Sequence, residues 1–253
     1  MDENIKELNK SKDEKTKGQL RNEYHDLFKS LFDKPQKHMC ILKALSKKHE
    51  GLTRVDIAQI EDIGGGSVLT KNLLELEECG FIYKTNDFTK GKKGELYRLT
   101  DPFTLFVIRF MESEKLNSWN EYINTHGFNS WRGNAFEIVC LNHISQIKSA
   151  LGISGIETNE FSWRSVTAEQ KAQIDLIIDR KDGVINLCEM KFMNDEYALD
   201  EDEYAGIKNR LTVFQSETGT KKAIHVTLVS GNGYRRNKYS DALQNVIIGD
   251  DLF

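Results

Sequence analysis

The chain has 253 residues and a formal net charge of −4, with 39% hydrophobic and 29% charged residues. At about 150 residues per domain, that length suits one or two domains with a sizeable core, and the composition excludes wholesale disorder. The charge excludes a uniformly basic nucleic-acid coat and leaves room for a local basic patch.

Apolar runs such as 187–188 and 246–248 fall far short of a membrane span. The N-terminus MDENIKELNKSKDEKTKG has no apolar stretch after its charges, so the chain reads as a cytoplasmic protein without a membrane segment. Cys40, Cys79, Cys140 and Cys188 are isolated, with no CxxC pair, which argues against a zinc site or a disulfide framework. No GxxxxGK[ST] occurs. Gly64-Gly65-Gly66-Ser67 lacks the adjacent lysine-hydroxyl pair that grips phosphates and magnesium, so this chain is not itself a P-loop ATPase.

Residues 1–35 read as a polar, disordered tail followed by a linker helix, in which Leu20, Tyr24, Leu27 and Leu31 recur at helical spacing up to Pro35. Pro35 and Pro102 bracket the next segment. Between His38 and His49, Ile41, Leu42 and Leu45 share a helical face. Thr53 is placed to cap a short helix through Ile60, and a turn at 64–66 follows. A third helix runs from Ser67 to Cys79, with Leu69, Leu73 and Leu76 inward and Gly80 as its stop. Strands Phe81–Lys84 and Glu95–Leu99 then flank the loop TNDFTKGKKG. Three helices and a two-stranded ribbon give 36–101 the order of a winged helix-turn-helix.

Charge divides the functional reading of that module. On the third helix Lys71 faces Glu75, Glu77 and Glu78, a net −2 that suits phosphates poorly. The wing is net +3, with Lys90, Lys92 and Lys93 as candidate phosphate contacts. A protein-contact role competes with groove reading. Residues 102–132 connect to the last region; there the run FTLFVIRFM (103–111), Trp119 and Tyr122 read as core.

Residues 133–253 carry the chemistry. A helix over 133–151 lines up Phe136, Val139, Cys140, His143, Ile144 and Ile147, with Glu137 at the edge of the stripe, where a solvated surface glutamate is the plain reading. Strands at 172–179 and 184–192 flank the turn Lys181-Asp182-Gly183. A three-residue hairpin loop ending on Gly pairs Arg180 with Val184 and so sets Asp175 opposite Glu189. Strict alternation then puts Asp175, Glu189 and Lys191 on one face, while a one-residue slip would scatter them.

Two carboxylates and a lysine on a mostly apolar sheet are costly without a partner. Magnesium (or manganese) held by Asp175 and Glu189, with Lys191 supporting an attacking water, supplies one. A plain salt bridge between Lys191 and one acid is the competing reading. The (D/E)-x-K string alone decides nothing, since it starts at Asp13, Glu169, Asp179 and Glu189; only Glu189 lies in an apolar strand with an aspartate on the strand before it.

Asp175 followed by Glu189-Met190-Lys191 after a hairpin, behind a helix bearing Glu137, resembles the PD-(D/E)XK nuclease superfamily. The resemblance implies an α/β (α+β overall) fold: a restriction-endonuclease-like mixed sheet behind the winged helix. It continues through a helix near 201–216 and a strand at 223–230. It implies a catalytic set of Asp175, Glu189, Lys191 and Glu137, with Asp175, Glu189 and Glu137 as metal ligands. Ile174 stands where the family name has proline. Over nearly its whole length the chain is similar to the C-terminal region of archaeal-type AAA/STAND ATPases, through GQLRNEYHDLFKSLF (18–32), YRLTDPFTLFVIRFM (97–111), WRGNAFEIVCLNHI (131–144) and the Asp175 to Lys191 run. That similarity implies an ATPase domain as partner, within the parent protein or separate.

In the last third, Tyr204, Ile207, Leu211 and Phe214 make a helical stripe, with Lys208 and Arg210 off it and the acids 200–203 at the helix's positive end. Arg235, Arg236 and Lys238 alternate with Tyr234 and Tyr239. With Lys208 and Arg210 these are candidate nucleic-acid contacts, against the reading of a plain surface loop. Two functions follow: a magnesium-dependent DNA endonuclease, or a non-catalytic nucleic-acid- or protein-binding module that regulates an ATPase.

Overall fold

The computed structural model of the chain describes residues 18–112, 123, 125–165, 167 and 172–253, without the side chains of Lys92 and Lys93. The tail to Lys17 and the expected core residues Trp119 and Tyr122 lie outside the described residues, as do the side chains of those two wing lysines. The chain is a mixed α/β protein that divides into two units, Met1–Tyr83 with Tyr97–Ala135 and Lys84–Leu96 with Phe136–Phe253.

The first unit opens with helix α1 (18–31), followed by α2 (Pro35–Leu45), β1 (Leu52–Thr53), α3 (Arg54–Ala58) and α4 (Gly66–Glu78). The buried stripe of α1 differs from the expected one. Tyr24 and Phe28, with Phe32 just past the helix end, are buried, whereas Leu27 and Leu31 are each 45% exposed. The aromatic stripe wins because it buries more area and finds aromatic partners: Phe28 and Phe32 meet Phe81, and Phe32 stacks on His38. His38 is buried, and its Nε2 lies 2.9 Å from Glu75 Oε2. Thr53 caps α3 as expected, in a reciprocal box with Asp56. After the hairpin strands β2 (Ile82–Asp87) and β3 (Gly91–Leu99), Asp101 caps α5 (Pro102–Phe106), which runs into a π-helical turn at Val107–Met111.

In the second unit the helix expected over 133–151 is two helices, α6 (His126–Asn142) and α7 (Ile144–Ala150). They part at His143, whose Nδ1 donates to Val139 O at 2.7 Å. The boundary between the units falls inside α6. Strands β5 (Gln173–Arg180), β6 (Val184–Lys191) and β7 (Ala223–Ser230), with helix α8 (Glu201–Thr218), match the expected elements closely. Strands β4 (Thr158–Arg164) and β8 (Asn245–Ile248) were not anticipated. Hydrogen bonds join the strands in the order β1-β3-β2-β4-β5-β6-β7-β8, a mixed eight-stranded sheet.

Side chains from α6 and α7 (Phe136, Cys140, Ile147) pack on one face of this sheet with Leu176, Ile178, Cys188 and Met190. On the other face α8 contributes Phe214 beside Trp163, Ile177 and Leu187, and Ile207 beside Val226 and Leu228. Each of the larger buried side chains contributes about 1.5–3 kcal/mol of transfer free energy. Among the described residues no helix is long and apolar enough to cross a membrane.

The hairpin expected to be a free wing is built differently. Its loop is short: β2 continues to Asp87 and β3 resumes at Gly91. The Asp87 carboxylate accepts from the Thr89 amide and hydroxyl and from the Lys90 amide. A Cβ on Gly94 would come within 2.7 Å of the Asp87 and Lys90 Cβ atoms, so the close approach needs glycine. The tip also has a partner. Asn86 and Asp87 pair in parallel with Phe161 and Ser162 of β4, and the Phe88 amide donates to Ser162 O. Phe88 packs against Phe161 and Phe214.

Candidate functional site

The β5–β6 hairpin turns on Gly183, at φ 88°, while Arg180 grips Asp182 and holds its carboxyl below the usual range. Asp179 pairs with Ile185 and Leu176 with Cys188, which is the register the turn chemistry dictates. One step further, that register sets Asp175 level with Glu189.

The expected strict alternation fails at that step. On its other edge β5 pairs Ile177 with Phe161 but Ile174 with Trp163, so two β5 residues, Asp175 and Leu176, stand against Ser162. This is a β-bulge, and it re-aims side chains locally. Ile174 thereby joins Ile177 and Leu187 on the α8 side, while Leu176 packs toward α6. Asp175 sits in the bulge, half-buried, and its Oδ1 accepts from Gln173 Nε2 at 2.7 Å.

Glu189, between the α6-facing Cys188 and Met190, points to the α8 side. Its carboxylate meets two cations. Arg210 donates to Oε2 at 2.7 Å, and Lys191 Nζ lies 3.2 Å from Oε1. Lys191 is also 3.8 Å from Glu203 Oε1. The result is a line of alternating charge, Arg210, Glu189, Lys191, Glu203, with side chains 22–34% exposed. At that exposure each pair is worth on the order of 1 kcal/mol or less. Beneath the Arg210–Glu189 contact lies a void of about 20 Å³ lined by Ile174, Leu187, Ile207 and Val226. Tyr197 is buried nearby, and burial, reinforced by the Glu203, Glu189 and Asp200 carboxylates, pushes its phenol far up, so it stays protonated.

Glu137 lies on α6 and forms no three-donor cluster with Asp175 and Glu189 among the described residues. It follows Phe136 on α6, the helix whose apolar residues cover the opposite face of the sheet. Its neighbours there include Cys140, whose thiol is driven up first by burial and then by Cys188 and Glu137; burial alone pushes Cys188 up to about 12. Among the described residues no three of His, Cys, Asp and Glu gather closely enough to hold a metal ion. The donors present are nonetheless hard carboxylate oxygens on neighbouring strands, and magnesium takes one or two such groups while keeping its waters. The set matches the ion in donor type alone: Glu189 is engaged by two cations, and no group of three such donors forms among the described residues.

Of the expected nucleic-acid contacts, Lys208 and Lys238 come together through two adjacent tyrosine rings. Lys90 is exposed at the turn of the first hairpin. Lys208 lies over the Tyr204 ring at 4.2 Å and Lys238 over Tyr239 at 4.8 Å, and the two rings lie 5.2 Å apart. Arg235 and Arg236 are exposed on a segment tied to 193–199, through the Tyr197–Tyr234 bridge and the Asn232 and Asn237 amides. Arg210 belongs to Glu189. Sequence reasoning missed Glu203 and Tyr197 as neighbours of this group and did not foresee the Arg210–Glu189 pair. The signal was present: Glu203, Ile207, Arg210 and Phe214 follow i, i+4, i+7, i+11 on one helical face.

No protein-family model matches the chain, and no curated protein matches it. Among solved structures it is similar to the crystal structure of a protein of unknown function, AF1548, at 16% identity and a TM-score of 0.31, over 44% of this chain and 56% of that one.

Proposed function

We propose that the chain is a metal-dependent DNA endonuclease of PD-(D/E)XK type behind a winged helix, working as the C-terminal part of an archaeal-type ATPase. The observation that supports this reading is the hairpin register, paired up to Leu176 and Cys188, which puts Asp175 and Glu189 on neighbouring strands, with the Lys191 ammonium 3.2 Å from the Glu189 carboxylate. Asp175 and Glu189 would hold magnesium or manganese, with Glu137 as the further ligand that the resemblance implies. The ion, when bound, supplies a Lewis acid and a more acidic water. Lys191 would offset negative charge gathering on a phosphoryl oxygen.

Calorimetry with Mn²⁺ beside a plasmid-nicking assay tests this. Glu189→Gln should lose both metal binding and nicking. Lys191→Ala should keep metal binding and lose at least about 100-fold in nicking. Nicking at wild-type rate in both variants would remove the enzyme reading. A second reading, a non-catalytic nucleic-acid- or protein-binding module that regulates an ATPase, draws on one observation: both Glu189 oxygens are already balanced by cations. Under that reading the wild-type chain binds DNA with no metal requirement and nicks nothing.

A further inference from the structure

We infer that the first unit holds a site for a small phosphate-bearing molecule, seated between α2 and α4 at the N-terminal end of α4. It is independent of the Glu189 group and of any metal. A cavity of about 630 Å³ lies there, within the range of about 300–1,000 Å³ usual for small-molecule sites. The residues that line it all belong to the first unit. Asn72, on the second turn of α4, is one of them. It is 6% exposed, and its Nδ2 has no hydrogen-bond partner among the described residues. A buried donor left unpaired destabilises the fold, so a ligand oxygen that meets it offsets that penalty. A half-turn of the amide exchanges its nitrogen and oxygen, which lets the donor face the cavity.

The charge around Asn72 selects an anion. Lys34, Lys37 and Lys71 line the cavity against Asp33 and Glu75. Glu75 is engaged already, by His38 at 2.9 Å and by Lys71 at 3.5 Å. Lys37 donates to the Ile63 carbonyl, just ahead of the glycine turn at 64–66, which holds its ammonium near the start of α4. Helix α4 adds the positive end of its dipole, and its N-cap, Gly65, has no side chain to bond the first amides. The run Gly64-Gly65-Gly66-Ser67, which is no P-loop, still offers backbone amides to a phosphate. Size and charge favour a small molecule over a duplex. Past Lys71 the helix carries Glu75, Glu77 and Glu78, which a DNA backbone laid along it would meet. Asn72 lies below the surface, open to a ligand that enters the cavity and sheltered from a rigid duplex across its mouth.

The test is calorimetric titration of the full chain with inorganic phosphate, with melting temperature as the folding control and a short DNA duplex as the second ligand. Wild type should bind phosphate and melt higher in its presence. Asn72→Leu, close in size and without the unpaired amide, should melt at or above the wild-type temperature in the absence of phosphate. It should bind phosphate at least about tenfold more weakly. Lys71→Gln, at an exposed side chain, should weaken binding about threefold and carries the test if the leucine variant folds poorly. No phosphate binding by wild type overturns the inference. Affinity unchanged in both variants places the anion elsewhere and also overturns it. A duplex that loses affinity in both variants, while phosphate gives no binding, assigns the cleft to a DNA backbone and overturns the small molecule.

Discussion

The two hairpins of this chain share a design and differ in how they are used. Each turns on a glycine of positive φ, Gly91 at 53° and Gly183 at 88°, and each turn has an aspartate binding neighbouring groups. In the β5–β6 hairpin that local chemistry settles the register and thereby the level of Asp175 and Glu189. In the β2–β3 hairpin the same kind of local order exists, yet it says nothing of what the tip does. Parallel pairing of Asn86 and Asp87 with Phe161 and Ser162, and the packing of Phe88 on Phe161 and Phe214, turn an expected free wing into part of the second unit's sheet. A turn specifies its own two strands; its third neighbour is specified by a strand far away in sequence.

The sharpest way to break this comparison is Phe88→Ala. Truncating a fully buried phenylalanine costs about 3–5 kcal/mol, and Phe88 is half-buried, so a loss of about 2–3 kcal/mol is expected. Denaturant unfolding measures it, and hydrogen exchange should show the Phe88 amide, bonded to Ser162 O, losing protection ahead of the β5–β6 amides. A change under about 0.5 kcal/mol would mean the tip is free of β4 and the hairpin is a wing after all.

Gly183→Ala probes the other hairpin and should cost less, about 1–2 kcal/mol, since the cost is backbone strain alone: an alanine Cβ there meets nothing within 4 Å. Because the strain falls on the turn that sets the register, Mn²⁺ affinity should weaken along with the stability. An intact melting temperature would show that cross-strand packing, not the turn, holds the register.

What the sequence disclosed follows the same division between local and distant causes. The Thr53 cap, the Gly183 turn and the spans of β5, β6, β7 and α8 depend on residues within a few positions of one another, and they were legible. The stripe on α1 was misread because two periodic sets coexist there, and only Phe81 and His38, distant in sequence, decide for Phe28 and Phe32 over Leu27 and Leu31. Strand β4 was missed, and with it the bulge that breaks the alternation at Asp175, since a bulge is a mismatch between two strands and neither carries it alone. The place of Glu137 depended on which sheet face α6 covers, which no spacing within α6 reveals.

The smallest expected effect on stability, and the most direct test of whether the first hairpin still touches nucleic acid, is Lys90→Ala. Lys90 is exposed at the turn, so its truncation should change stability by less than about 0.5 kcal/mol. If the hairpin meets a DNA backbone, losing one cation releases one fewer counterion, and the slope of log affinity against log salt should fall by about one unit. Binding of a duplex measured across a salt series reads that slope directly. An unchanged slope would take Lys90 out of the interface. With Phe88 half-buried against β4, the hairpin's contribution would then be to extend the sheet that carries Glu189, and DNA contact would have to come from elsewhere on the chain.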